Sequence, residues 1–216
     1  MVSKRVVGLV LRRLAAHYKS HTALESFARR KHETPFQILV ATMLSARTRD
    51  EVTAQVSDAL FAVYPTPKKL AAAPLVRIKA LIKPVNFYKG KAKRIKQMAK
   101  IIHEKYRGEV PKTMKELDSL PGVGRKTAGC VRVYAFGLPQ IPVDVHCHRV
   151  ANRLGWVKTK TPEKTEFELE ALIPKHYWLN VNELFVLHGQ QTCLPRKPRC
   201  CECVIKKACR SNNCKS

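Results

Sequence analysis

Acidic residues are in short supply in this chain: 16 Asp and Glu stand against 41 Lys and Arg in 216 residues, a formal net charge of +25. Basic surfaces built for heat resistance carry matching acids in ion-pair networks, and those acids are missing here. The imbalance points instead to a polyanionic partner, nucleic acid first. Long apolar runs are lacking too, and nothing approaches the length of a membrane span. The apolar run from Val6 to Leu11 is too short for a signal core and is cut off by Arg12 and Arg13, so it reads as part of an amphipathic helix. Period-two alternation is absent, as is a tight hairpin between β-branched runs, which excludes a β-sheet protein. Low-complexity linkers and internal repeats are also missing, so any second domain is closely packed on the first.

What remains is helical punctuation. Thr34-Pro35, Thr66-Pro67 and Thr161-Pro162 each set a capping hydroxyl before a proline suited to a first turn, and Thr113 with Glu116 spells a capping box. Apolar residues recur at three and four in Val6, Val7, Val10, Leu11, Leu14 and Tyr18, and in Ala92, Ile95, Met98, Ala99, Ile102 and Tyr106. Phe36 to Leu44 is apolar on nearly all sides and predicts a buried central helix. The fold class expected is all-α. Glu163, Glu166, Glu168 and Glu170 form the one acidic cluster, expected to face away from nucleic acid.

The stretch LPGVGRKTAG, Leu120 to Gly129, carries three glycines around Arg-Lys-Thr. It fails the nucleotide-binding pattern G-x-x-x-x-G-K-[ST], because Arg125 separates Gly124 from Lys126. Closely spaced glycines before a helix can still aim successive N–H groups at one phosphate, leaving a nucleic-acid backbone as the candidate ligand. On this evidence Lys126 is either a phosphate-holding charge or an amine that attacks carbon. Asp144 precedes a clear helix, Val145 to Leu154, and reads as an N-cap.

Cys193, Cys200, Cys203 and Cys209 follow C-x6-C-x2-C-x5-C. Four sulfurs so close in an intracellular helical protein read as metal ligands. The single close pair leaves both zinc and a 4Fe-4S cluster open. Cys201 and Cys214 fit neither pattern; Cys201 either exchanges with Cys200 as ligand or is a bystander. Cys130 and Cys147 read as packed core. His146 and His148 read as helix-packing or polar-contact residues.

Together these motifs resemble the endonuclease III family of base-excision DNA glycosylases. LPGVGRKTA looks like its helix-hairpin-helix, IPVDVHCHR like its catalytic-aspartate segment, and the Cys193–Cys209 spacing like its iron-sulfur loop. The likeness runs from about Thr34 to Cys209 and includes PFQILVATMLSA and VNFYKGKA. It implies two helical domains with a DNA-binding cleft between them: a six-helix barrel at residues 28–138, and a cluster domain at 1–27 and 139–216. It implies a bifunctional glycosylase and AP lyase that removes oxidised pyrimidines from double-stranded DNA and cleaves abasic sites, with Lys126 as nucleophile and Asp144 as its partner. The 4Fe-4S cluster would be held by Cys193, Cys200, Cys203 and Cys209. DNA contacts would come from Gly122, Val123 and Gly124, from Lys197 in the cysteine loop, and from Arg47 and Phe87, which fill the hole left by a flipped nucleotide. Arg47 departs from the glutamine usual in bacterial members, which bears on opposite-base contacts. The expected setting is a monomer in the cytoplasm of a prokaryote, associated with the nucleoid. Two rivals remain: a thymine or uracil mismatch glycosylase without strand cleavage, and a non-catalytic DNA-binding or redox-sensing iron-sulfur protein.

Overall fold

The computed structural model describes residues 2–19 and 33–214. Among them no strand forms, and no helix is long and apolar enough to cross a membrane. The chain divides into two compact units, Met1–Thr22 with Pro139–Ser216, and Ala23–Leu138. The boundary expected at residues 27 and 28 lies outside the described residues.

Within the unit of residues 23–138 the helices are α2 (Pro35–Ser45), α3 (Asp50–Val63), α4 (Pro67–Ala72), α5 (Leu75–Leu81), α6 (Tyr88–Lys105), α7 (Met114–Asp118) and α8 (Arg125–Phe136). Helix α2 is the centre: Phe36 and every residue from Ile38 to Leu44 are buried, and α3, α6 and α8 pack on it. Its start is a full capping box, the Thr34 hydroxyl accepting from Gln37 N and Gln37 Oε1 accepting from Thr34 N at 2.8 Å. Thr113 caps α7 similarly, its hydroxyl accepting from Glu116 N at 3.2 Å and donating to the Glu116 carboxylate at 2.6 Å. Helix α6 buries Ala92, Ile95, Met98, Ala99 and Ile102 on one face, as the 3.6-residue period requires, and α4 and α5 pack along it.

The other unit contains α1 (Lys4–His17), α9 (Val145–Leu154), α10 (Pro162–Leu172) and α11 (Trp178–Gln191), with short 3-10 turns at Lys175–Tyr177 and Lys206–Ala208. Val7, Val10, Leu11 and Leu14 of α1 are buried, and α1 packs on α11. Phe185 is fully buried against Trp156. The acidic cluster is split between interior and surface. Glu166 is buried, and Gln140 Nε2 donates to Glu166 Oε1 at 2.7 Å and to Glu170 Oε1 at 2.6 Å. Helical spacing alternates these glutamates between the core and solvent, and a buried carboxylate survives only with such donors.

Candidate functional site

Helices α7 and α8 are joined by the turn at Leu120–Gly124. Leu120 and Val123 are buried, and Val123 N donates to Leu120 O at 3.0 Å. Val123 therefore anchors the turn, and its amide is engaged within it. Gly122 has φ +81°, and a Cβ there would lie 2.8 Å from Arg94 Cδ and 3.0 Å from Met43 Cε. Gly124 is the N-cap of α8, has no side chain to bond the first-turn amides, and faces open space where a Cβ would sit. Helix N-termini present N–H groups and a positive dipole end, a setting that suits a phosphate. Lys126 is the second residue of α8 and is partly exposed; a cation there opposes the dipole.

In the other unit Asp144 caps α9, its Oδ1 accepting from His146 N and Cys147 N, both at 2.9 Å. His148 Nδ1 bonds Thr165 Oγ1 at 2.7 Å and His146 Nδ1 bonds Arg149 Nη2 at 3.1 Å, the polar contacts expected of both. Cys130 and Cys147 are fully buried.

Arg47 and Phe87, 40 positions apart in sequence, come together. Both adopt left-handed backbone, φ 56° and 59°, a conformation that costs a non-glycine residue about 1–2 kcal/mol. Phe87 is 67% exposed and so takes no part in the core, and the Arg47 guanidinium lies 5.9 Å from its ring centroid. Asn86 Nδ2 donates to Arg47 O. Lys91 Nζ donates to Leu44 O and Ala46 O, each at 2.7 Å, and reaches Thr48 Oγ1 at 3.4 Å. Burial pushes Lys91 down to about 8, so it stays mostly charged at neutral pH. An open recess of about 710 Å³ lies here, lined by Arg47, Phe87, Lys91 and Arg94 among others. The sequence does not single out Asn86, Lys91 or Arg94: nothing local distinguishes Lys91 and Arg94 from the solvated charges around them, and the partner of Asn86 is 39 positions away.

The four sulfurs Cys193, Cys200, Cys203 and Cys209 line one cavity of about 210 Å³, together with Arg153 and His188. All four are free thiols. Burial pushes the Cys203 and Cys209 thiols up, and the neighbouring sulfurs add to it. Arg153 Nη1 donates to Cys193 Sγ at 3.3 Å and to Leu194 O at 2.7 Å. Arg149 Nε donates to Cys193 O at 3.0 Å. Burial holds His188 down to about 4, with His17 and Arg149 adding. Among the described residues no three His, Cys, Asp or Glu side chains converge on a single metal ion. Four thiols lining one cavity, with a cation beside one of them, are a donor set that suits a thiolate-held metal or cluster. Cys201 is neither ligand nor bystander: it is disulfide-bonded to Cys214, Cα atoms 4.9 Å apart. The turn at Cys200–Cys203 and the returning tail bring the two together, which spacing alone could not reveal. Lys197 is exposed at φ 50° in the same loop.

The sequence profile of the HhH-GPD superfamily base excision DNA repair proteins matches residues 40–175. Endonuclease III of Thermotoga maritima is 47% identical over 187 residues, covering 86% of this chain and 88% of that protein. A trapped endonuclease III–DNA covalent intermediate superposes with a TM-score of 0.87 at 34% identity, covering 98% of each chain. A thermostable thymine-DNA glycosylase superposes with a TM-score of 0.80 at 25% identity, covering 97% of this chain and 96% of its own. The chain belongs to the endonuclease III family within the HhH-GPD superfamily. Its activity is that of a base excision repair DNA glycosylase with AP lyase function.

Proposed function

We propose that this enzyme removes oxidised pyrimidines from double-stranded DNA through a covalent intermediate on Lys126, acting as a monomer in the cytoplasm at the nucleoid. The observation that carries the reading is the position of Lys126, one residue into a helix whose N-cap is the open Gly124. A phosphate received by the turn would bring the adjoining sugar to that first turn. One structural neighbour is itself a trapped covalent intermediate with DNA.

The target base is inside the stack, so the nucleotide is first extruded, with Arg47 and Phe87 occupying the space it leaves. The neutral Lys126 amine attacks C1′; the C1′–N bond forms as the glycosidic bond breaks, and the base departs with that electron pair. Asp144 takes the proton released by the amine, and its charge stabilises the oxocarbenium-like sugar. The sugar ring then opens: the nitrogen lone pair forms the C1′=N iminium as the C1′–O4′ bond breaks, and O4′ leaves as a hydroxyl with the proton that Asp144 returns. That iminium acidifies the C2′ hydrogen; loss of that proton expels the 3′ phosphate, and water then frees the lysine. At its ordinary pKa about one lysine in 2,500 is neutral at pH 7. The dipole of α8 and the charge of Arg125 both favour the free amine.

Cys193, Cys200, Cys203 and Cys209 would hold a 4Fe-4S cluster. When bound, it supplies a fixed crosslink that keeps the basic loop of Lys197 in shape for DNA phosphates.

Borohydride quenching with a thymine-glycol duplex tests the reading. The expected product is a stable protein–DNA adduct on Lys126, absent in Lys126→Ala. Base release without an adduct would instead favour the hydrolytic mismatch glycosylase, and an intact strand would favour a binding module.

A further inference from the structure

Nothing local explains why a lysine stands at position 91. It is in the first turn and a half of α6, whose dipole opposes a cation, and it is half-buried where most lysines of that helix are exposed. Its ammonium is directed away from its own helix to the C-terminus of α2, where the last carbonyls of a helix have no i+4 amide to accept from. The acceptors it meets are Leu44 O, Ala46 O and Thr48 Oγ1, which bracket Arg47. Asn86, on the other side of Phe87, donates to Arg47 O itself. Two donors flanking Phe87 thus grip the segment flanking Arg47. Arg47, in the held segment, and Phe87, between the two donors, both adopt strained left-handed backbone, and neither is a glycine. Such a conformation persists only where its surroundings over-determine it.

We infer that Lys91 is a positioning residue for nucleotide extrusion: it locks the Ala46–Thr48 segment to the start of α6, so that Arg47 and Phe87 stand paired and ready for insertion before DNA arrives. The inference rests on the reading of Arg47 and Phe87 as the residues that fill the vacated stack. Without the clamp the same side chains are present but visit the paired arrangement only part of the time. Extrusion slows accordingly, while chemistry on a nucleotide that needs no extrusion does not.

The test compares two substrates at saturating enzyme in single turnover: a thymine-glycol duplex, and a single-stranded oligonucleotide with one abasic site. In Lys91→Met, which keeps the apolar stem and loses the donors, the duplex reaction falls about tenfold if the paired conformer drops to about one tenth of the population. Cleavage of the single strand stays within about twofold. A 2-aminopurine beside the lesion reports slower unstacking, and K91R, which retains charge and donors, recovers most of the rate. If K91M is unstable to thermal unfolding, Asn86→Ala carries the same comparison with the second donor removed. Equal rates for variant and parent on the duplex, or equal losses on both substrates, would overturn the inference. Phe87→Ala separates the two layers. A loss in F87A without one in K91M removes the clamp and leaves the wedge; no loss in F87A removes the wedge and the clamp with it.

Discussion

Arg153 reaches from the last turn of α9 to Cys193, donating from Nη1 to the sulfur at 3.3 Å, while Nη2 holds Pro195 O at 2.9 Å. One guanidinium therefore ties a thiol and the following backbone of the cysteine loop, and offsets thiolate charge in a half-buried setting. In Arg153→Met the proposed cluster is expected to be lost or to become oxygen-labile, with iron and sulfide per chain reduced about twofold or more on purification. Full iron content would show that the loop backbone orients Cys193 without it.

Cys201 and Cys214 close a short loop over the tail that borders the cysteine cavity through Ser211 and Asn213. A crosslink of this loop length contributes up to about 3 kcal/mol by restricting the unfolded chain. Reductant is expected to lower the melting temperature of the parent and to leave that of Cys214→Ser unchanged. Thiol counting under denaturing conditions, before and after reduction, checks that the pair is the bond being broken.

Asp144 serves α9 as a cap and, in the proposed reaction, as a proton acceptor. Asparagine caps about as well as aspartate, and alanine costs about 1 kcal/mol. Asp144→Asn is therefore expected to keep the parent's denaturation midpoint yet lose 100-fold or more in base release, on the scale of removing a general base (~10²–10⁴). Asp144→Ala loses both. Unchanged turnover in the asparagine variant would leave the residue as a cap alone.

The two hairpin glycines separate folding from binding. Gly122 combines positive φ with a Cβ contact of 2.8 Å, so Gly122→Ala is expected to destabilise by about 1–3 kcal/mol. Gly124→Ala meets nothing inside the protein and is expected to cost under about 1 kcal/mol, the difference between these residues as caps. Its methyl occupies the approach to the α8 amides, so duplex affinity should fall several-fold. Salt titration of binding beside urea denaturation distinguishes the two.

Local chemistry made much of this protein legible in the sequence. The caps at Thr34, Thr66, Thr113, Thr161 and Asp144, the apolar face of α6 and the range Arg125–Phe136 all depend on neighbours within four residues, where spacing is contact. The four cysteines were legible for the same reason, since a loop of 17 residues keeps them near one another in any fold. Tertiary structure alone decided the rest. Lys91 finds its carbonyls 45 and 47 positions away, Gln140 meets Glu166 across 26, and Cys201 finds Cys214 only because the tail turns back. No local preference selects left-handed backbone at Arg47 or Phe87. At Arg47 a donor 39 positions away holds the carbonyl, whereas Phe87 O accepts from the nearby Gly90 and Lys91 amides; one lysine among many becomes distinct only once its neighbours are in place.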